Sequence, residues 1–224
     1  MEIDSKSKAA YEYISQQIES GAFPPGMMLV ERQLCEQLGM SRSPVRTALT
    51  RLANEGELVT YTPNRGMCVT ALTRRDVEEI YELRILLDSE GLRLFIRRAS
   101  DAEIAELGEL YGKMIESYES GDTEQMVRYD VLFHRYYTSH CGNTRLNAMF
   151  RTVFSPLRRF RWEIVRMMPE SMAEIHDLHA KLYEAIQARD EDSACKYEKM
   201  SNEAMLQHHL RWLDAQQAKS EGLA

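Results

Sequence analysis

The chain has 224 residues, enough for one large or two small domains, each with a buried core. Hydrophobic residues make up 44% and charged residues 28%, which excludes a disordered, collagen-like or low-complexity chain. The formal net charge of −7 counts against a chain that is basic throughout, and no apolar run approaches the roughly 20 residues of a membrane span, so a soluble protein is expected.

The opening MEIDSKSKAAYEY lacks a basic segment followed by an apolar one, and the expected location is the cytoplasm. Cys35, Cys68, Cys141 and Cys195 are widely spaced with no CxxC pair, which fits reduced thiols better than a disulfide frame or zinc knuckle. Dividing the charge along the chain is informative. Residues 1–71 carry 7 basic and 8 acidic side chains, net −1, and residues 72–224 carry 21 and 27, net −6. Within the first part, residues 32–51 hold Arg32, Arg42, Arg46 and Arg51 against Glu36 alone, net +3. Such a patch on an acidic protein suits a polyanion met at one place.

In chain order, Tyr11, Ile14 and Ile18 share one face of a first helix, which Gly21 and Pro24-Pro25-Gly26 end. A short second helix runs from Glu31 to Leu38 and stops at Gly39. Ser43 and Pro44 predict the start of a third, with a hydroxyl cap and proline at the first helical position. Its apolar face is Val45, Ala48, Leu49 and Leu52, and Gly56 closes it. Residues 58–62 and 67–70 are rich in β-formers and flank Pro63-Asn64-Arg65-Gly66, which predicts a hairpin. Three helices and a ribbon give the layout of a winged helix-turn-helix over residues 1–71, although the layout alone also fits a small α+β domain with no DNA role.

From residue 72 to 224 the pattern is helical throughout. About six helices are expected, in an antiparallel bundle broken near residues 99–101, 120–122, 141–143, 168–169 and 189–190. Ser100 with Glu103 reads as a capping box, Pro156 as a kink in the fourth helix, and Thr73-Arg74-Arg75 as a short connector. The fold class is therefore mostly α.

These residues resemble a family. The series Gly21, Pro25-Gly26, Leu29, Glu31, Leu34, Leu38-Gly39, Ser41-Arg42-Ser43-Pro44-Val45-Arg46, Ala48-Leu49, Arg51-Leu52, Glu55-Gly56, Pro63, Arg65-Gly66 and Val69 is similar to the DNA-binding domain of the GntR superfamily of bacterial regulators. Thr47 departs from it, standing where the family usually has Glu. Residues 72–222 resemble the helical FCD domain of the FadR branch, through Leu83-Arg84, Asp88, Asp130, Phe133-His134, Gly142-Asn143, His179, Ala185-Ile186 and Asp190. Six helices rather than seven point to the VanR-like subgroup.

The resemblance implies DNA contacts from Arg32, Ser41, Arg42, Ser43 and Arg46, and from the wing tip Arg65-Gly66. Arginine suits guanine edges, phosphates and narrow minor grooves, and free amides at a helix start suit phosphate. It also implies a homodimer on a palindromic operator. Asp130 and His134 lie i and i+4 on one helix face, and with His179 they match the family's metal ligands for a divalent ion such as Zn, Ni or Mn. The family's fourth ligand, a histidine 22 residues after His179, is replaced by Ser201; His176 is an alternative donor, whereas His208 lies two turns away. Without metal, His134 and His179 would be hydrogen-bonded core residues. Arg84 matches an arginine facing the effector cavity but can equally pair with Asp88, and Ser201 is placed with it in the effector site. Arg158, Arg159 and Arg161 can add positive charge.

The expectation is a DNA-binding repressor, not an enzyme, controlled by a small carboxylate on a metal. Alternatives are a metal sensor or a metal-free regulator holding a larger acyl ligand. A metal-dependent hydrolase is disfavoured because no HExxH or comparable motif is present.

Overall fold

The computed structural model describes residues 5–19, 22–55, 58–167 and 172–221, with backbone alone at 19, 155–156, 158–163, 166–167 and 219–221. Two compact units divide the chain, one over Met1–Leu72 with Ser155–Arg159 and the other over Thr73–Phe154 and Phe160–Ala224. Nine helices and one two-stranded sheet lie among the described residues.

The first unit holds α1 (Ser5–Glu19), α2 (Glu31–Leu38), α3 (Arg42–Glu55), β1 (Val59–Thr62) and β2 (Gly66–Val69). The apolar faces read from the sequence form its core: Ile14, Ile18, Leu34, Val45, Ala48, Leu49, Leu52, Val59 and Val69 are buried together. Gly39 ends α2 in the left-handed region, as its missing Cβ allows. The helix-start expectation shifts by two residues. α3 begins at Arg42, so Ser43 and Pro44 sit inside its first turn and Ser41 precedes it.

β1 and β2 pair antiparallel, Val59 opposite Val69 and Thr62 opposite Gly66. Asn64 and Gly66 both take positive φ at the wing tip. The ribbon gains a short third edge, because Leu29 donates to the Met67 carbonyl and Val69 to that of Met27, each at 2.8 Å.

The second unit holds α4 (Arg74–Arg98), α5 (Asp101–Glu119), α6 (Thr123–His140), α7 (Thr144–Met167), α8 (Met172–Gln187) and α9 (Glu191–Glu221). The expected connector is shorter than read: Thr73 caps α4 through a capping box with Asp76, so Arg74 and Arg75 already belong to the helix. Ser100 and Glu103 form the expected box at α5. Gly142 takes φ +70°, and a Cβ there would meet Arg98 Nη1 at 3.0 Å, which fixes glycine at the α6–α7 turn. At the α8–α9 turn Arg189 adopts φ +54° while its guanidinium bonds the carbonyls of Ile96 and Ala99 and the Asp101 carboxylate, each at 2.8 Å.

Helix pairs α5/α6, α4/α9 and α8/α9 bury the core of this unit, with Leu92, Phe95, Leu107, Phe133, Tyr137, Leu182 and Ile186 at its centre. All four cysteines are free thiols. Among the described residues no helix is long and apolar enough to cross a membrane. The ends expected at Gly21, Gly56 and residues 168–169 fall outside the described residues, as do the side chains of Pro156, where a kink is expected, and of Arg158, Arg159 and Arg161.

Candidate functional site

On the first unit, α3 buries Val45, Ala48, Leu49 and Leu52 and thereby turns Arg42, Ser43, Arg46, Thr47, Thr50, Arg51 and Asn54 onto one concave outer surface. Arg42 and Arg46 share this face, with Ser41 at its start, as the i, i+4 spacing requires. Three of the expected DNA arginines are held by the protein itself. Arg32 pairs with Glu36 at 2.9 Å. Arg65 at the wing tip donates Nη2 to the Gly26 carbonyl at 3.1 Å. Arg46 is gripped in a fork by Glu31, Nε to Oε1 at 2.8 Å and Nη2 to Oε2 at 2.9 Å.

That pairing holds the Glu31 carboxyl below its usual range through the hydrogen bond from Arg46, despite some desolvation, with charge attraction to Arg46 and Arg42 helping. The basic stretch read as net +3 begins just after Glu31, so the local positive charge is smaller than the sequence window gives. Thr50 and Asn54, one and two turns beyond Arg46, are exposed on the same face. The sequence reading passed over them because it took its neutral donors from the helix start and the wing tip alone.

In the second unit, burial and spacing bring Asp130 and His134 of α6 together with His179 of α8. One ligand atom from each of the three lies within 4.8 Å of those of the others, and all three side chains are buried. The His134 and His179 Nε2 atoms are 3.0 Å apart. Asp130 Oδ1 is 3.2 Å from His179 Nε2 and 3.6 Å from His134 Nε2.

Outer partners set which ring atoms face inward. His179 Nδ1 is 2.7 Å from the Ile175 carbonyl, which only accepts, so Nδ1 carries the hydrogen and Nε2 presents a lone pair. His134 Nδ1 is 3.0 Å from Tyr137 Oη and 3.4 Å from Glu198 Oε1. Tyr137 donates its own proton to Asp88 Oδ1 at 3.0 Å, so its oxygen is free to accept from His134. His134 therefore also points a lone pair inward. Two lone pairs and a carboxylate oxygen face one another, an arrangement that only a proton or a metal ion relieves.

Phe133 packs edge to face against both imidazoles. The donor set fits a metal ion. With metal–nitrogen bonds of about 2.0–2.1 Å, two tetrahedral ligand atoms stand roughly 3.3 Å apart, a few tenths from the separation found here. The other nitrogens rest on a backbone carbonyl, a phenol oxygen and a carboxylate, the usual supports of metal-binding histidines.

A buried polar layer lies behind His134. Arg84 donates Nε to Asp88 Oδ2 at 3.1 Å. Asn202 donates to Asp88 Oδ2 at 3.1 Å and to Glu198 Oε1 at 3.0 Å. Burial, together with Glu198 nearby, raises the Asp88 carboxyl to about 6, although Arg84 and His134 pull it down. Burial also opposes the charge on Glu198, but His134 and Arg84 outweigh it and hold that carboxyl at about 2. The His134 imidazole, resisted by burial and favoured by Glu198 and Asp130, is raised to about 9. Arg84, against the pull of burial, is held charged chiefly by Asp88. The sequence reading missed Glu198 and Asn202 altogether; their one signal was two polar residues four apart on an otherwise charged helix.

A cavity of about 30 Å³ adjoins Asp130 and His179, lined also by His176 and by Met114, Met126, Met172 and Met205. His176 stacks on Tyr118 at 4.3 Å and stands outside the Asp130–His134–His179 group. Ser201 is buried on α9, and neither it nor Arg84 is among the described residues lining this cavity. His208 is also buried on α9, outside the triad.

A winged helix carried with a six-helix bundle that encloses an Asp-His-His group is the build of a two-domain transcriptional regulator. Residues 6–69 match the family described as "Bacterial regulatory proteins, gntR family" and residues 79–211 match the "FCD domain". The chain belongs to the GntR family, in the branch that carries an FCD domain. It is 32% identical over 177 residues to the Nta operon transcriptional regulator of Aminobacter aminovorans, covering 78% of this chain and 80% of that one. It is 26% identical over 187 residues to the gluconate operon transcriptional repressor of Bacillus subtilis (strain 168), covering 82% and 76%. The solved structure of E. coli McbR/YncC aligns with a TM-score of 0.71 at 25% identity, over 92% of this chain and 99% of that one. The protein is a bacterial transcriptional regulator of GntR/FCD type and not an enzyme.

Asp88 is the acceptor shared by Arg84, Tyr137 and Asn202. Asp88→Ala strands a buried guanidinium, and an equilibrium urea titration is expected to show a loss of about 3–5 kcal/mol. A loss below about 1 kcal/mol would mean that Arg84 finds solvent or another partner.

Proposed function

We propose that the protein is a homodimeric repressor whose winged helices bind a palindromic operator in the cytoplasm, and whose affinity is set by a small carboxylate effector bound through a divalent metal. The observation that carries the metal reading is the convergence of three buried acceptor atoms, from Asp130, His134 and His179, with an outer partner in place behind each of the two imidazoles. With His134 neutral, as a metal-bound imidazole must be, Asp88, Asp130 and Glu198 bring three buried carboxylates against the guanidinium of Arg84, an excess of two that one divalent ion would neutralise in place of the His134 proton.

In this reading Asp130, His134 and His179 hold the ion, and the ion, when bound, supplies a Lewis-acidic position for an anionic ligand. Arg84 then serves the site through Asp88 and the layer behind His134, rather than by contact with the effector. Regulation requires that the effector bind one arrangement of the dimer better than the other. The small cavity favours a second reading, in which the ion itself is the signal. At roughly 10–15 Å³ per water, about 30 Å³ holds two or so waters, and a larger metabolite would need the helices to part.

For DNA, we infer that Arg42 and Arg46 enter the major groove with Ser41 and Ser43 at phosphates, that Arg32 adds a backbone contact, and that Arg65-Gly66 reaches the minor groove. With its fork closed on Glu31, Arg46 meets DNA through its remaining nitrogen or by exchanging Glu31 for a guanine. The second copy would pack on the apolar stripe of α4, where Leu83 and Leu86 are 48% and 67% exposed.

Three experiments test this reading. Arg46→Ala is expected to weaken binding to an operator selected from random duplexes by about 5–150-fold in gel-shift titrations, the range of one base contact, and an unchanged affinity would remove Arg46 from the interface. Protein purified without chelator is expected to carry near one divalent ion per chain by elemental analysis, lost in His134→Ala; metal-free protein after incubation with divalent ions would refute the metal reading. Leu86→Glu is expected to convert a dimer to a monomer in sedimentation velocity, and an unaltered dimer would place the interface elsewhere.

A further inference from the structure

Glu198 is the least expected residue of the bundle. It is fully buried on α9, at 0% exposure, and one of its oxygens, Oε2, has no hydrogen-bond partner among the described residues. A charged carboxylate so placed costs free energy that an apolar side chain would not, so it must be balanced by positive charge nearby. Its other oxygen, Oε1, accepts from Asn202 at 3.0 Å and stands 3.4 Å from His134 Nδ1, on the ring edge opposite Asp130 and His179.

We infer that Glu198 is a positioning residue for the metal ion: it shares the His134 Nδ1 hydrogen with Tyr137, which keeps the Nε2 lone pair aimed at the ion, and it supplies negative charge that the ion balances. This rests on the metal reading above. Its two partners divide the work. Tyr137 Oη, at 3.0 Å, is the nearer acceptor but is neutral, and its own proton is committed to Asp88. Glu198 is farther away but charged, and Asn202 ties it to the same Asp88, so the carboxylate cannot swing out of line. A carboxylate behind a ligating imidazole raises the ring's basicity and fixes its tautomer, and loss of such an outer partner typically weakens a metal site about 10–100-fold. In a site with only three protein ligands, where Ser201 brings no imidazole, that support weighs more.

The test is titration of the full-length apo-protein with Zn²⁺ against a competing chelator, paired with thermal unfolding, for wild type, Glu198→Gln and Tyr137→Phe. Glu198→Gln keeps the size and an acceptor oxygen but removes the charge. It is expected to weaken Zn²⁺ binding about 10–100-fold while the apo-protein still folds cooperatively, with a Tm close to that of wild type. Tyr137→Phe is expected to lose less. A Glu198→Gln protein with lowered apo Tm and wild-type Zn²⁺ affinity would assign Glu198 a structural role and overturn the inference. Wild-type protein that binds no Zn²⁺ would overturn the metal reading, and this inference with it. If Glu198→Gln fails to fold, ¹⁵N chemical shifts of zinc-loaded wild type decide: His134 is expected to be protonated at Nδ1, and a hydrogen on Nε2 would overturn the inference.

Discussion

The structure of the helical domain depends on how three carboxylates come to be buried in one place. Asp88, Asp130 and Glu198 sit on α4, α6 and α9, each within the bundle and none more than 5% exposed. Isolated burial of even one ionised carboxylate is prohibitive, so each must be met by positive charge and hydrogen bonds. Arg84 meets Asp88, Asn202 bridges Asp88 and Glu198, and His134 stands between Glu198 and Asp130. The result ties α4, α6, α8 and α9 by polar contacts that specify one register of those helices. It also leaves the inward-facing atoms of Asp130, His134 and His179 close together.

Much of this was legible in the sequence and some was not, for physical reasons. Helix periodicity, capping pairs and glycine stops are local signals, and Ser100 with Glu103, Gly39 and the Pro63–Gly66 turn carry them at short range. The triad was legible because Asp130 and His134 sit one turn apart and His179 matched a known pattern. Glu198 was not, since its meaning arises 64 residues from His134 and appears only when α9 packs beside α6. In a 31-residue helix with charges on most turns, a buried glutamate looks like a solvated one. The recruitment of Arg74-Arg75 into α4 has a local cause, since Thr73 gains a full capping box from Asp76.

On the DNA-binding unit the same long-range logic changes the charge reading. Counting charges along the sequence left Glu31 just outside the basic stretch, whereas the fold lays it across Arg46. The closed fork rigidifies Arg46 and lowers the local field. Thr47, where the family resemblance leads one to expect a glutamate, removes a negative charge from the same face, so the two features partly offset. The reading surface of α3 is accordingly a mixture of Arg42, Arg46 paired with Glu31, Arg51 paired with Glu55, and the neutral hydrogen-bonding groups of Ser43, Thr47, Thr50 and Asn54.

The central claim is that the inward-facing acceptors of Asp130, His134 and His179 are completed by a metal ion. Anomalous diffraction from crystals grown without chelator, collected on both sides of the absorption edge of the metal present, tests it most directly. The account requires one peak between the two Nε2 atoms and the Asp130 carboxylate, with His134 Nδ1 still turned to Tyr137 and Glu198. No peak after soaking in zinc or manganese, with the two imidazoles sharing a proton, would contradict it and leave the triad as a hydrogen-bonded element of the core.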